Sequence, residues 1–294
     1  MTRLSGLSAM TMVMVLATYA LNANAALFDQ AEIELRHDDN LTKAKMTRDV
    51  KDDIAITASA SSSKAYQLTE QGRLNWTAKL AGAVYRRYQG LNNLDAGLDL
   101  TYRYKFGLGA TVPELHASAS ATRLEYQDSA RTGWLYASEV GFAQRLTARA
   151  GVQLTYQIEQ RRADNAGTRV RPTIPANVFD LNSHNVILGG DYALTPEYVL
   201  AAAYGYRSGD IVSTTLRNLP IFRVSSAIAA DPVFGPGQVA YTLKALTQSV
   251  NVGLSRILND QASVTLGYEH LYSRAAGGID YRSNLIRLTY LHQF

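Results

Sequence analysis

The chain has no cysteine. That excludes disulfides, a lipid-modified N-terminal cysteine, a covalently attached c-type haem and cysteine-ligated zinc. Proline is scarce at 7 residues, and Pro172, Pro175, Pro220, Pro232 and Pro236 fall in two short regions. No apolar run of helix length follows Ala26, and mean hydropathy is −0.13. A membrane protein built from helices is therefore excluded. Charge of either sign is in only small excess. The net charge is +4, of which Arg3 supplies one at the very start of the chain. Such a balance gives no reason to expect a nucleic-acid partner.

The first 25 residues read "MTRLSGLSAMTMVMVLATYALNANA". Arg3 comes first, an apolar stretch runs from about Met10 to Leu21, and Ala23-Asn24-Ala25 offers small residues for cleavage. This pattern predicts a secretory signal peptide over 1–25 and a mature domain over 26–294. The apolar stretch falls short of the roughly 20 residues a bilayer span needs.

Tyrosine and glycine are plentiful, at 18 and 21 residues, and many sit in alternating runs. "LDAGLDLTYRYKF" at 94–106 is the clearest. Leu94, Ala96, Leu98, Leu100, Tyr102, Tyr104 and Phe106 share one face of a period-two strand. Asp95, Gly97, Asp99, Thr101, Arg103 and Lys105 share the other. "ARAGVQLTYQIEQR" at 148–161 repeats the pattern. Strands of soluble sandwiches usually run about 5 or 6 residues, whereas membrane-crossing strands need about 9 to 11. The length of these runs selects the membrane.

The same alternation predicts strands near 30–39, 53–67, 73–87, 94–106, 114–127, 133–146, 148–162, 184–194, 197–210, 240–257, 262–273 and 281–294. The fold class is an all-β transmembrane up-and-down antiparallel barrel of about twelve strands, an even number placing both ends on one side. The connections alternate in kind. Turns near 69–72, 107–114, 146–147, 194–197 and 258–261 are mostly tight. Connections at 40–52, 163–183, 211–239 and 274–280 include the two long, proline-bearing ones. Short periplasmic turns and long extracellular loops are the outer-membrane arrangement.

The chain ends "LIRLTYLHQF". Ile286, Leu288, Tyr290 and Phe294 lie on one face, with Arg287, Thr289 and Gln293 on the other. His292 interrupts the apolar face. With its leader, alternating strands, turn asymmetry and this ending, the whole chain resembles the Gram-negative outer-membrane β-barrel and porin superfamily. The resemblance implies residence in the cell outer membrane among lipid and lipopolysaccharide, and insertion by the barrel-assembly machinery. It also implies that Tyr290 and Phe294 form the C-terminal signal which that machinery reads.

The inward face carries the candidate site. It holds Lys79, Asp95, Asp99, Arg103, Lys105, Glu139, Arg145, Arg149, Glu159, Arg207, Glu269 and Arg287, interspersed with Gly97, Gly141, Gly151, Ala201, Ala203, Gly205, Gly253 and Gly267. Charges of both signs inside a membrane need water or each other. A narrow, water-filled channel for small hydrophilic solutes satisfies this. So does a lumen packed with ion pairs, and about twelve strands lies between the filled and the open regimes. Lys105, Arg145, Arg149 and Arg287 fall toward the periplasmic ends, which predicts a positive inner vestibule and a weak preference for anions.

Other readings are weaker. A structural or partner-binding barrel of an export or electron-transfer assembly remains open. An outer-membrane lipid-modifying enzyme would use "NSHN" at 182–185, but Ser183 and His184 are adjacent on a strand and point to opposite faces. "RHDDN" at 36–40 and "RDVKDD" at 48–53 bring His37 and five aspartates together, as a cation site or an aspartate–histidine protease would. Their interleaved lysines and arginines read more simply as a self-paired loop. No catalytic residue, metal or cofactor is predicted. Loop 211–239 is too apolar to be freely solvated. Arg161, Arg162, Arg169 and Arg171 are candidates for lipopolysaccharide phosphates.

Overall fold

The computed structural model describes residues 28–294. The leader over 1–25 lies outside the described residues. Twelve long strands, all antiparallel to their neighbours, close into a barrel. They are β1 (Gln30–Asp38), β2 (Asp53–Gln67), β3 (Gly72–Tyr85), β4 (Asn93–Lys105), β5 (Glu114–Tyr126) and β6 (Gly133–Arg145). Then come β7 (Ala150–Ala163), β8 (Leu181–Ala193), β9 (Tyr198–Leu216), β10 (Gln238–Asn259), β11 (Ala262–Ala275) and β12 (Ile279–Gln293).

Sequential strands pair throughout, and β12 closes on β1 with Leu35 opposite Leu288 and Arg36 opposite Arg287. The Phe294 amide donates to the Asp29 carbonyl at 3.0 Å, so the last residue is tied into the barrel. His292 stacks on Tyr290 and meets Phe294 edge-on, with centroids 6.5 and 4.8 Å away. It extends the aromatic ladder that it seemed to interrupt.

Alternation decides which way each side chain points. Ile56, Leu98, Val140, Leu154, Leu188, Val252, Leu266 and Leu288 are all exposed on the outer wall. In water such a belt would be a large penalty; against lipid it costs nothing. Every strand residue of the other parity faces the lumen.

Three of the tight turns share one construction. Leu68-Thr69, Leu146-Thr147 and Leu194-Thr195 each place two amides on one carbonyl across the turn, that of Gly72, Ala150 or Tyr198. Each threonine hydroxyl then accepts from an amide two or three residues on. The leucines are exposed beside the apolar belt. A threonine that mimics a backbone turn and an exposed leucine bordering the apolar belt are therefore a repeated local solution.

The opposite mouth is built differently. β9 and β10 continue past the other strands, still paired from Ile211 opposite Leu243 to Leu216 opposite Gln238. The expected loop 211–239 is therefore shorter, at 217–237. It holds helix α1 (Leu219–Val224) and a short strand, Ala227–Ala230, which pairs with β10 and with Thr168–Arg169 of the β7–β8 loop. Among the described residues no helix is long and apolar enough to cross a membrane.

Candidate functional site: a charged lumen beneath a folded cap

The inward face carries acids and bases in contact. Glu269 and Arg287 pair at 2.6 Å, and Arg287 also donates to Asn251 at 3.0 Å. Arg145 reaches across Gly151 to Asp191 at 2.5 Å. Arg103 pairs with Glu114 at 2.7 Å, and Glu139 with His116 at 3.0 Å. Asp95 accepts from Asn93 and Asp99 from Thr101, each at 2.7 Å. Glu159 accepts from the Ser183 hydroxyl, and Arg207 donates to the Asp210 carbonyl. Lys79 lies between Ser61 and Gly97 on its neighbouring strands. Lys105 ends β4. Arg149 lies outside the strands, exposed in the β6–β7 turn.

Sequence reading omitted Glu32, Glu34, Arg36, Arg73, Glu114, His116, Arg161 and Asp191. All have inward parity. The signal is present in the sequence, since Glu34 alternates with Leu35 and Asp191 with Tyr192. The omission matters for charge. A cavity of about 540 Å³ opens among β1, β4–β12 and the turns below. Its charged lining is Lys105, Arg145 and Arg287 against Glu34, Glu114 and Asp191. The expected positive vestibule is thus a balanced one, and Arg287 sits midway along β12 rather than at its end.

The small residues of the inward face do not all act alike. A Cβ on Gly141 would overlap the His116 ring, and one on Gly151 would lie 2.6 Å from Asp191 and 2.8 Å from Arg145. One on Gly97 would lie 2.7 Å from the Thr122 hydroxyl. These glycines seat a neighbour's charged or polar side chain. The cavity wall runs along Gly151, Gly189, Ala201, Ala203, Gly253 and Gly267. A Cβ on Gly253 or Gly267 would meet nothing nearer than 3.7 Å.

The outer mouth is filled. The inward residues Ile211, Leu243, Ala245, Ala275, Ile279 and Tyr281 are buried beneath Ile221 of α1 and Ile228, with Val170, Ile174 and Phe222 packed alongside. A second cluster joins Val178 and Phe179 of the β7–β8 loop to Ala227, Ala229 and Ala240. The apolar character of loop 211–239 is the surface of this cap. Its far edge is pinned across the mouth. Asp231, 1% exposed, accepts from Arg131 at 2.8 Å and from the Thr214 hydroxyl at 2.7 Å. Asp128 is the second partner of Arg131, which also lies 4.4 Å from the Phe179 ring centroid. Phe234 packs against Tyr88 with the rings tilted by 55° and their centroids 4.9 Å apart, and burial pushes the Tyr88 phenol above its ordinary pKa.

The acids of the first loop are structural. Asp53 accepts from the amides of Arg87 and Tyr88, Asp39 from Asn284, Asp38 from Ser283, and Asp49 from the Leu216 amide. His37 shares the outward parity of Leu35. Ser183 faces inward to Glu159 while His184 bonds the outward Tyr156 hydroxyl, so no triad forms. Arg161, near the end of β7, turns inward and donates to the Arg131 carbonyl at 2.7 Å, and Arg171 of the β7–β8 loop lies over Phe222.

No family model matches the chain, and no curated protein matches it. Among solved structures it is similar to an outer membrane channel from Pseudomonas putida F1, at TM-score 0.55 and 12% identity over 91% of this chain and 96% of that one. It is also similar to the NanC porin, at TM-score 0.49 and 10% identity over 89% of this chain and all of that one (100%). At such identity the likeness is one of fold. The shared fold is a closed antiparallel barrel of twelve strands.

Proposed function

We propose that this protein is a non-enzymatic outer-membrane channel for passive diffusion of small hydrophilic solutes, gated or narrowed by the cap. The observation that carries this reading is the lumen wall. An apolar exterior encloses acids, bases and amides around a cavity of about 540 Å³. Around that space Lys105, Arg145 and Arg287 stand among Glu34, Glu114 and Asp191. Charges of both signs are stable inside a membrane only where water or each other satisfies them. The solved channel of Pseudomonas putida F1 shares the fold.

Because bases and acids balance around the cavity, discrimination between anions and cations is weak, and the anion preference expected from the bases alone is offset. The solute is selected by size and hydrogen bonding. Liposome swelling with neutral solutes of increasing size tests this. Uptake of small solutes that falls off with size supports the reading; liposomes that remain tight, with the cap intact and with residues 219–234 deleted, refute it.

The filled mouth favours one second reading, a barrel that serves as a structural or partner-binding component. In that case cap deletion would not create conductance, and permeability would appear only with the partner present.

A further inference from the structure

The outer wall of β11 changes character from the tight-turn end toward the cap. Its outward residues read Val264, Leu266, Tyr268, His270, Tyr272 and Arg274. Aliphatic side chains give way to aromatic ones and then to a base, the order in which a membrane wall passes from hydrocarbon through the interface to the headgroups. On β12, Arg282 lies directly opposite Tyr272. The two guanidinium carbons stand 5.4 and 5.6 Å from the Tyr272 ring centroid, and Arg274 Nε donates to the Tyr272 hydroxyl at 3.0 Å. Both arginines are exposed, and among the described residues neither is in an ion pair. Two guanidinium groups are thus held on one tyrosine with their remaining donors free. The neighbouring bases are spoken for: Lys244 by Asp210 at 2.8 Å and Lys45 by Asp280 at 2.6 Å.

A groove of about 420 Å³ runs beside this pair, lined by His184, Ser208, Lys244, Leu246 and Arg274. The opposite rim is built to the contrary plan. There Arg123 is saturated by Glu125 and Asp164, and its hydrogen bonds hold the Asp164 carboxyl below the usual carboxylate range. Arg123 is thus neutralised by two carboxylates, whereas Arg274 and Arg282 are held by a tyrosine that leaves their charge uncancelled.

We propose that Arg274 and Arg282, with the adjoining groove, form a binding site for the phosphate-bearing headgroup of an outer-leaflet glycolipid. Guanidinium matches phosphate oxygens in paired hydrogen bonds, and Tyr272 fixes both groups before the ligand arrives. The mixed lining of the groove suits the sugar and the first carbons of an acyl chain. The site lies on the lipid wall, away from the arginines of the β7–β8 loop. The inference rests on the outer-membrane setting and not on conduction, so its failure leaves the channel reading standing.

Native mass spectrometry of the full chain in detergent tests it. The probes are lipid A carrying both phosphates, the same lipid A with its phosphates removed, and phosphatidylethanolamine. We expect the phosphorylated lipid A to stay bound through delipidation and the other two to be lost. In Arg274→Gln/Arg282→Gln, retention falls by about tenfold or more, with heat-modifiable migration unchanged. Arg123→Gln leaves retention as in the wild type. Equal retention of dephosphorylated lipid A, which needs no variant, overturns the proposal. So does a folded double variant that retains as much as the wild type.

Discussion

At the scale of single residues, one buried ion pair holds the cap in place. Arg131 rises from the β5–β6 connection, and Asp231 comes from the β9–β10 loop on the far side of the mouth. Both are almost wholly buried. Removing one partner of such a pair leaves the other charge without water, a cost of about 3 to 5 kcal/mol. Asp231→Asn, which keeps the shape and loses the charge, is expected to release the cap while the barrel stays intact. Limited proteolysis checks this through accelerated cleavage within 217–237, with no change in heat-modifiable migration. Gly141 makes a second residue-scale case. Gly141→Val drives a methyl group into His116 and disturbs its contact with Glu139. Overpacking of this kind costs about 1 to 3 kcal/mol, which denaturant titration in micelles reads as a lowered midpoint.

At the scale of elements, period-two alternation made the strands legible. Where one wall faces lipid and the other the lumen, every second residue declares itself, as in β4 and β7. The expected and observed limits there differ by no more than two residues. Alternation failed where the environment lost its asymmetry. Gln238 through Leu243 are buried on both faces, between the top of β9, the strand Ala227–Ala230 and the cap core. A segment buried on both sides has no polar face to mark its period, so the extension of β9 and β10 read as loop. The cap's apolar residues announced that it packs on something, but their target is set by tertiary contacts that no local pattern encodes. The last strand carries its own prediction. Phe294 is held by Asp29 and flanked by His292. If Tyr290 and Phe294 act as the assembly signal, deleting Phe294 sharply lowers assembled outer-membrane protein and leaves secretion intact. Fractionation with detection of the periplasmic pool measures both, and undiminished assembly would remove that role.

At the scale of the whole molecule, the lumen is a balanced electrostatic lining under an apolar cap. Balance predicts a reversal potential close to zero in a salt gradient. Arg145→Glu makes the point sharper, because it leaves Asp191 unpaired and adds a second negative group beside the cavity. Permeability should then shift toward cations, and salt should erase the shift as the Debye length contracts from about 10 Å at 0.1 M. No shift would place Arg145 away from the permeation path. The central claim is that water and small solutes can pass through this barrel once the cap yields. Single-channel recording in a planar bilayer tests that most directly, with the wild type compared against deletion of residues 219–234. Small or intermittent conductance is expected for the wild type and a larger, steady conductance for the deletion. A correctly folded deletion variant that never conducts would contradict it.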